Sequence, residues 1–199
     1  MKGMLVIISG PSGSGKGTLV KQLNNERYAH SISVTARPMR EGEKEGVDYF
    51  FRTEEEFIHM RENNQLLEHT AYLGRLYGTP RQYVEEQIDK GKVVILEIEV
   101  NGALQVKEKF PNAVLIFLIP PTRDELTKRL IFRDTEDSIE IKDRMDRALE
   151  EIELIYQYDY LIINDKIPIA TAEIDTVIEA ELLKPFRSET KIKKFKSSN

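Results

Sequence analysis

The sequence predicts an α/β fold built on a mostly parallel β-sheet. Four short apolar runs, rich in Val, Ile and Leu, are continuous rather than alternating, which is typical of strands buried on both faces. Segments with helical spacing lie between these runs, and strands that alternate with helices favour a parallel sheet. The predicted strands are Met4–Ser9, Val93–Glu99, Ala113–Ile119 and Tyr160–Asn164.

Three of the predicted helices carry local signals. Arg81–Lys90 stops before Gly91, a residue type that favours the end of a helix. Thr122–Phe132 begins with a Thr of the kind that caps helix N-termini. The longest predicted helix covers about Thr135–Tyr156, and a shorter one covers Thr18–Asn24. The apolar face of the longest helix is predicted to comprise Ile141, Met145, Leu149, Ile152 and Tyr156.

Residues 31–80 interrupt this alternation of strands and helices. They mix Gly, Pro and charged residues with short β-prone pieces, a helical segment and one further strand. We therefore predict a small mixed α/β insertion at about residues 32–84, which stands off a core formed by about residues 1–31, 85–121 and 148–185. The β-prone pieces are Ser31–Thr35, Asp48–Phe51 and Leu67–Leu73, and the helix is Glu54–Asn63.

The composition indicates an ordinary soluble domain of 199 residues, with 40% hydrophobic and 32% charged residues. Because the chain has no Cys, disulfides and thiolate metal sites are excluded. No apolar run approaches the roughly 20 residues that span a bilayer. Gly10 and Pro11 cut the first apolar run short, so no signal peptide is predicted and a cytoplasmic enzyme is expected.

Charge argues against a nucleic-acid partner, since the net charge is −5 and such binders normally carry a basic surplus. The exception is the basic C-terminal segment at about residues 184–199. We interpret it as a solvated or frayed tail. Contact with an acidic partner or a neighbouring subunit is the alternative, and a homo-oligomer is left open.

The segment GPSGSGKG, residues 10–17, fits the phosphate-loop pattern G-x-x-x-x-G-K between a predicted strand and a predicted helix. Glycines let backbone N–H groups point at phosphate oxygens, and a lysine at this position reaches the β- and γ-phosphates. A glycine-rich turn with no ligand is the alternative. The predicted ATP-binding residues here are Gly10, Pro11, Ser12, Gly13, Ser14, Gly15, Lys16, Gly17 and Thr18.

Gly17 stands where phosphate loops usually give Mg²⁺ a hydroxyl ligand. Thr18 follows it, but one residue further along a helix points about 100° away. Two interpretations stay open. Either phosphates and water hold Mg²⁺ with help from protein carboxylates, or the site is catalytically weak.

A second cluster suits a phosphorylated acceptor. Arg37 and Arg40 are three residues apart, and two guanidinium groups suit a phosphate monoester, to which Tyr49 and Tyr77 could add hydroxyls. The alternative for the arginines is surface ion pairing with neighbouring glutamates, Glu41, Glu43 and Glu45.

Two carboxylates, Glu68 and Glu99, lie in apolar surroundings, where a carboxylate is costly unless it is paired. Guanine offers adjacent donors, N1–H and the 2-amino group, whereas adenine lacks both. Ser33 or Thr79 could add a hydroxyl. A solvent-facing position is the alternative for Glu68.

The motifs of this sequence resemble those of a known protein family. The chain resembles bacterial guanylate kinases over about residues 3–185. The motifs that carry the resemblance occur in order: ISGPSGSGKGT, TARPMREGE, GVDYFF, LYGTP, LEIEVNGALQV, FLIPP, RDTED and IINDK. The resemblance implies transfer of the ATP γ-phosphate to GMP, and to dGMP, with Mg²⁺, in purine nucleotide metabolism. It also implies a P-loop kinase core, a GMP-binding insertion and a mobile helical lid at about residues 122–147.

The resemblance also implies roles for individual side chains. Position alone suggests a role for Asn164 and Asp165, which end the last predicted strand at the carboxyl edge, where α/β sheets bind ligands. They would line the adenine side, although a turn role is equally open. Asp134 stands where the family usually has Gly, which puts lid rate or ATP affinity in doubt. The implied GMP-binding residues are Ser33, Arg37, Arg40, Tyr49, Glu68, Tyr77, Thr79, Glu99 and Arg144. The implied catalytic residues are Lys16, Arg37, Arg133 and Arg144, with Arg133 and Arg144 bracketing the ATP phosphates. Among the other lid arginines, Arg147 is interpreted as solvated, and Arg129 is left open.

Two alternative functions conflict with individual residues of the sequence. A kinase that prefers AMP conflicts with Glu68 and Glu99, since adenine has no donors for two carboxylates. A non-catalytic binding module conflicts with Lys16, because such modules have degraded phosphate loops.

Overall fold

A five-stranded parallel sheet forms the centre of the fold. The computed structural model describes residues 3–72, 74–133 and 138–197. The strand order is β2-β7-β1-β8-β9, and every neighbouring pair is parallel. Their bounds are β1 Met4–Ser9, β2 Tyr28–His30, β7 Val93–Glu97, β8 Val114–Ile119 and β9 Tyr160–Ile163.

Helices cover both faces of this sheet. On one face Val6 and Ile8 pack with α1 and α7, and on the other Leu5 and Ile7 pack with α3 and α4. Burial on both faces explains why β1 is continuously apolar. The bounds are α1 Lys16–Val20, α3 Arg81–Asp89, α4 Val100–Lys109 and α7 Ile167–Leu182.

A second, smaller sheet has the order β4-β3-β6-β5, with one parallel and two antiparallel pairings. Helix α2 packs on it through Phe57, which contacts Val34 and Leu66. Its β5 strand also lies against α4 of the core, where the side chain of Gln105 bonds to both backbone polar groups of His69. The bounds are β3 Val34–Thr35, β4 Phe50–Phe51, α2 Glu54–Glu62, β5 Leu66–Tyr72 and β6 Arg75–Pro80.

Local sequence signals explain several helix ends. The Thr53 hydroxyl accepts from the N–H of Glu56, whose carboxylate accepts from the N–H of Thr53, so a capping box starts α2. Thr122 caps the helix α5 Arg123–Arg133, as predicted. Gly91 has a φ of 82° and donates to the carbonyl of Ile88, which matches the predicted end of α3.

The predicted α/β class with a mostly parallel sheet is confirmed, but several elements differ from the predictions. The strand predicted to Glu99 ends at Glu97, because Glu99 is the N-cap of α4. The sequence analysis missed α4 and α7, and it missed β2 and β6, which are short or contain Gly and Pro.

The C-terminal end of the predicted long helix also differs from the structure. In the described residues, α6 runs over Ser138–Glu153, and a 3₁₀ turn follows at Leu154–Gln157. Tyr156 is 92% exposed, so its predicted place on the apolar face is wrong. In the described part of the basic tail, residues 189–197 form the exposed helix α8 Glu189–Ser197, so this stretch is solvated but helical. Arg187 differs from the prediction, because its side chain is buried and donates to the carbonyl of Asn112. The boundaries of core, insertion and lid stay a prediction.

Candidate active site

The glycine loop joins β1 to α1 and lies close to the ends of two other strands. Gly10 and Gly15 have φ values of 147° and 89°, which favour glycine. A Cβ at Gly10 would lie 2.1 Å from the carbonyl oxygen of Leu118, and one at Gly15 would lie 2.4 Å from Nδ2 of Asn164. The close approach of backbone and side chain therefore requires glycine at both positions.

Lys16 folds back over its own loop. Its Nζ donates to the carbonyl of Gly10 at 2.5 Å and to that of Pro11 at 3.2 Å. These bonds hold the ammonium group against the backbone of the glycine loop, which is predicted to bind the ATP phosphates.

Asn164 forms a hydrogen bond to the backbone of the glycine loop. It is 3% exposed, and its Nδ2 donates to the carbonyl of Ser14 at 2.8 Å. The sequence analysis expected Asn164 on the adenine side or in a turn, and it did not foresee this contact. Binding of Asn164 to ATP stays a prediction.

Arg129 lies beside the loop. A recess of 170 Å³, here called the loop recess, is lined by Gly13, Gly15, Gly17, Thr18 and Arg129. Arg129 is held there by two bonds, one to Oε1 of Glu125 at 2.9 Å and one to the carbonyl of Asn164 at 3.2 Å. The sequence left two roles open for Arg129, a solvated ion pair or a contact with the ATP phosphates. Its place in the lining of the loop recess favours the second role.

A further arginine reaches the loop from α6. Nη2 of Arg144 donates to the hydroxyl of Ser12 at 2.9 Å. Arg144 thus contacts the predicted ATP site, and it is not among the residues that line the cleft described next. Arg133 is the last residue of α5, and its side chain lies outside the described part of the chain, as does Asp134.

Most of the residues predicted to bind GMP line one cleft of 460 Å³, here called the carboxylate cleft. It lies between the small sheet, the ends of β7 and α4, and helix α6. Six of the predicted residues line it: Ser33, Arg40, Tyr49, Glu68, Tyr77 and Glu99. The fold therefore brings together residues that are up to 66 positions apart in the sequence.

Glu68 is the buried carboxylate of this cleft, with 4% exposure. Its Oε1 accepts a bond of 2.7 Å from the Thr79 hydroxyl, and its Oε2 lies 3.0 Å from the position a Cβ would take at Gly102. Burial raises the pKa of Glu68, while the Thr79 bond and the charge of Lys109 counteract that rise. The solvent-facing alternative for Glu68 is therefore wrong, and Thr79 acts on the cleft through Glu68.

Arg37 adjoins the cleft through the tyrosines. It is 6% exposed, and its Cζ lies 4.8 Å from the centroid of the Tyr49 ring. Its guanidinium forms a bidentate pair with Glu43, at 2.7 Å and 2.5 Å. The ion-pairing alternative is thus correct for Arg37 with respect to Glu43, although the Arg37 side chain is buried and that of Glu43 is half-buried.

Glu97 joins the glycine loop to the cleft, and the sequence analysis did not single it out. It lines the carboxylate cleft, and its Oε1 lies 3.2 Å from the position a Cβ would take at Gly17. A neighbouring cleft of 590 Å³ is also lined by both Gly17 and Glu97. The sequence signal was present, because Glu97 ends a buried strand at the carboxyl edge of the sheet, where α/β folds bind ligands.

Two residues of α6 line the carboxylate cleft without having been predicted there. Arg147 and Glu151 line the carboxylate cleft, and the Arg147 guanidinium lies 3.6 Å from Glu151 and 4.0 Å from Glu99. Burial and the charge of Glu99 raise the pKa of Glu151, while Arg147 and Lys16 counteract that rise. The interpretation of Arg147 as a solvated arginine is confirmed by its side-chain exposure of 63%, and the structure adds that it lines the cleft.

A phosphate loop that shares a wall with a polar cleft, on a parallel α/β core, defines a P-loop phosphotransferase. The guanylate kinase family model matches residues 2–181. The chain belongs to the guanylate kinase family, whose activity is phosphorylation of GMP by ATP.

Solved structures agree with this assignment. The chain is 34% identical to the guanylate kinase of Anaplasma phagocytophilum, with a TM-score of 0.71, and the match covers 93% of this chain and 89% of that one. TT1252 from Thermus thermophilus is 14% identical, with a TM-score of 0.51 and coverage of 92% and 99%, and supports the fold alone. No helix in the described ranges is long and apolar enough to cross a membrane.

Proposed function

We propose that the carboxylate cleft binds GMP and the glycine loop binds the phosphates of Mg-ATP, so that the γ-phosphate passes directly between them. The observation that carries this proposal is the position of Glu97, which lines the cleft and lies beside Gly17 of the loop. Since one residue borders both compartments, donor and acceptor phosphates have a short path between them.

On the acceptor side, Glu68 and Glu99 accept from the N1–H and 2-amino groups of guanine, with Ser33 adding a hydroxyl. The bond from Thr79 keeps the Glu68 carboxylate oriented. Arg37, Arg40, Tyr49 and Tyr77 bind the phosphate of GMP, because guanidinium groups and hydroxyls are strong donors to phosphate oxygens. The residues proposed here to bind GMP contact its base and its phosphate, and none is assigned to the 2′-hydroxyl of the ribose. We therefore expect dGMP to be an acceptor as well.

On the donor side, the backbone of residues 10–18 cradles the ATP phosphates and Lys16 neutralises developing charge. Arg144 and Arg133 add positive charge from the lid, and Arg129 adds it from the loop recess. The acceptor is an ionised phosphate, so no general base is required. Closure of the insertion and lid excludes water, which favours transfer to GMP over hydrolysis.

The residues around Gly17 fit a Mg²⁺ ion. The described residues hold no cluster of three or more His, Asp or Glu that would cage a metal. The Glu97 carboxylate lies beside the place where a hydroxyl ligand is missing. Mg²⁺ commonly keeps several waters and takes one or two carboxylates together with substrate phosphates. Glu97 would hold such an ion directly or through water, and the bound ion would neutralise phosphate charge.

ADP release from Mg-ATP by the purified chain tests the proposal. GMP, dGMP, AMP, UMP, CMP and no acceptor are compared under the same conditions. We expect ADP only with GMP and dGMP. Release with AMP would contradict the role of Glu68 and Glu99. Binding of GMP without turnover would favour the non-catalytic module. A cytoplasmic location and a homo-oligomer stay predictions.

A further inference from the structure

Glu43 links the two arginines that are assigned to the acceptor phosphate. Its carboxylate accepts from both terminal nitrogens of the Arg37 guanidinium, at 2.7 Å and 2.5 Å. Its Oε2 also accepts from the backbone N–H of Arg40 at 2.8 Å. A single carboxylate therefore fixes the side chain of Arg37 and the main chain at Arg40 together.

The guanidinium of Arg37 has donors that Glu43 does not occupy. Arg has five N–H donors. Glu43 takes one on each terminal nitrogen, and Nη1 also donates to the carbonyl of Pro38 at 3.0 Å. Nε is buried and has no hydrogen-bond partner among the residues that the structure describes. Because a buried donor without a partner is costly, this N–H is an unused donor for a ligand oxygen.

The surroundings of Arg37 point to the same ligand. Tyr49 packs on the guanidinium face, and Tyr49 and Tyr77 lie with ring centroids 6.0 Å apart in the lining of the carboxylate cleft. Interaction with Glu43, followed by that with Tyr77, raises the pKa of Arg37 against the opposing effect of burial. Arg37 is thus held beside the residues that line the cleft, and Glu43 leaves its Nε–H donor unused.

We propose that Glu43 is a positioning residue for recognition of the GMP phosphate: it holds Arg37 and Arg40 in the relative placement that the phosphate requires. This inference rests on the proposed function. The opposite role is a gate, in which Glu43 occupies the phosphate site and must leave before GMP binds. Glu43 is not among the residues that line the carboxylate cleft, which favours positioning, because a phosphate bound there need not displace it.

Glu43 remains ionised under physiological conditions. The bond from Arg37, followed by that from the backbone of Arg40, lowers the pKa of Glu43 to about 2. The positioning effect is therefore expected to be constant between about pH 6 and 8, a window far above that pKa.

Calorimetric titration of wild type, Glu43→Gln and Glu43→Ala with GMP and with guanosine tests the proposal. Guanosine lacks the phosphate, so the ratio of the two dissociation constants isolates phosphate recognition. We expect GMP to bind about 10-fold more weakly to Glu43→Gln and more weakly still to Glu43→Ala, the size expected for lost charge-assisted hydrogen bonds. Guanosine binding should not change.

Glu41→Gln serves as the matched control, because Glu41 is an exposed glutamate in the same loop. Tighter GMP binding by Glu43→Gln would establish a gate and overturn the proposal. Unchanged GMP binding would also overturn it, as would equal losses for GMP and guanosine, which indicate a general structural role. If wild type binds no GMP, the proposed function itself has failed, which is a separate result.

Discussion

The carboxylate of Glu97 lies beside Gly17, with Oε1 3.2 Å and Oε2 3.6 Å from the position a Cβ would take. Contacts of 3.2 Å are tight for a Cβ, so a serine at residue 17 would press against this carboxylate. The loss of the usual hydroxyl and the presence of the carboxylate therefore belong together. This relationship places a carboxylate beside the position where phosphate loops usually carry Ser or Thr.

Glu97→Gln is expected to raise the Mg²⁺ concentration needed for half-maximal activity about 10-fold, because an amide is a weaker ligand for a hard cation. The measurement is initial rate against free Mg²⁺ at fixed ATP. Glu26→Gln, an exposed glutamate, is the control. In the double variant Gly17→Ser with Glu97→Ala, which removes the side chain beside residue 17, the new hydroxyl should recover part of the loss seen in Glu97→Ala alone. An unchanged Mg²⁺ requirement in Glu97→Gln would remove Glu97 from the metal site.

Lys16→Ala is expected to lower kcat by about 100-fold or more, since a positioned cation is worth that much where charge develops on the transferred phosphate. GMP binding should survive, because Lys16 belongs to the loop and not to the carboxylate cleft lining. Steady-state kinetics and GMP titration measure the two quantities. Lys90→Ala, an exposed lysine at the end of α3, is the control. Retained turnover would refute the phosphate-loop assignment.

The sequence predicted the parts of the site whose signals are local. The loop at residues 10–17 is a contiguous motif, and four strands of the main sheet followed from continuous apolar runs, since burial on both faces leaves that mark. The bracing of Ser14 by Asn164 could not be predicted, because it joins residues 150 positions apart. The places of Glu97 and Glu151 in the cleft could not be predicted for the same reason, because they depend on how β7 and α6 pack.

Other differences arise where local propensity is overridden. Glu99 continues an apolar, strand-like run, yet it serves as N-cap of α4. Tyr156 continues a helical apolar spacing, yet α6 ends before it and gives way to a 3₁₀ turn. In both cases the chain changes direction at the edge of the sheet, which no periodicity records.

Glu68→Gln is expected to weaken GMP binding while leaving ATP affinity unchanged. It should also change how stability depends on pH. Burial raises the pKa of Glu68 above its unfolded value, so the ionised side chain destabilises the folded state as pH rises through the folded pKa. Below the unfolded pKa this penalty is absent.

Denaturant titrations at pH 4.5 and pH 8 check this sign. The free energy of unfolding of Glu68→Gln, minus that of wild type, should be larger at pH 8 than at pH 4.5, which means that the variant is relatively more stable at the higher pH. Glu108→Gln, an exposed glutamate of α4, should show no such trend. The reverse trend in Glu68→Gln would mean that the buried carboxylate is stabilised by its partners rather than penalised by burial.

Gly102→Ala is expected to raise the KM for GMP about 10-fold with little change in the KM for ATP, a change of about 1.4 kcal/mol. The new methyl group would lie 3.0 Å from Oε2 of Glu68 and 3.5 Å from its Cδ, so the carboxylate must move. Alanine normally stabilises a helix interior over glycine by about 0.5–1 kcal/mol. That gain should be absent here, and thermal denaturation measures it. A more stable variant with unchanged KM would show that Glu68 adapts without cost.

Asn164→Asp is expected to destabilise the glycine loop and to raise the KM for ATP. In the wild type, the side-chain amide donates to the carbonyl of Ser14 at 2.8 Å. A carboxylate of the same shape would place one acceptor against another, in a site that is 3% exposed. Loss of a buried hydrogen bond costs about 1–3 kcal/mol, and more where a charge is left.

Burial should raise the pKa of the new carboxylate, so the penalty should shrink as pH falls and the group becomes protonated. Thermal denaturation at pH 5 and pH 8, with Asn112→Asp as an exposed control, measures this difference. An equal loss at both pH values would mean that the loop is disturbed by shape rather than by charge.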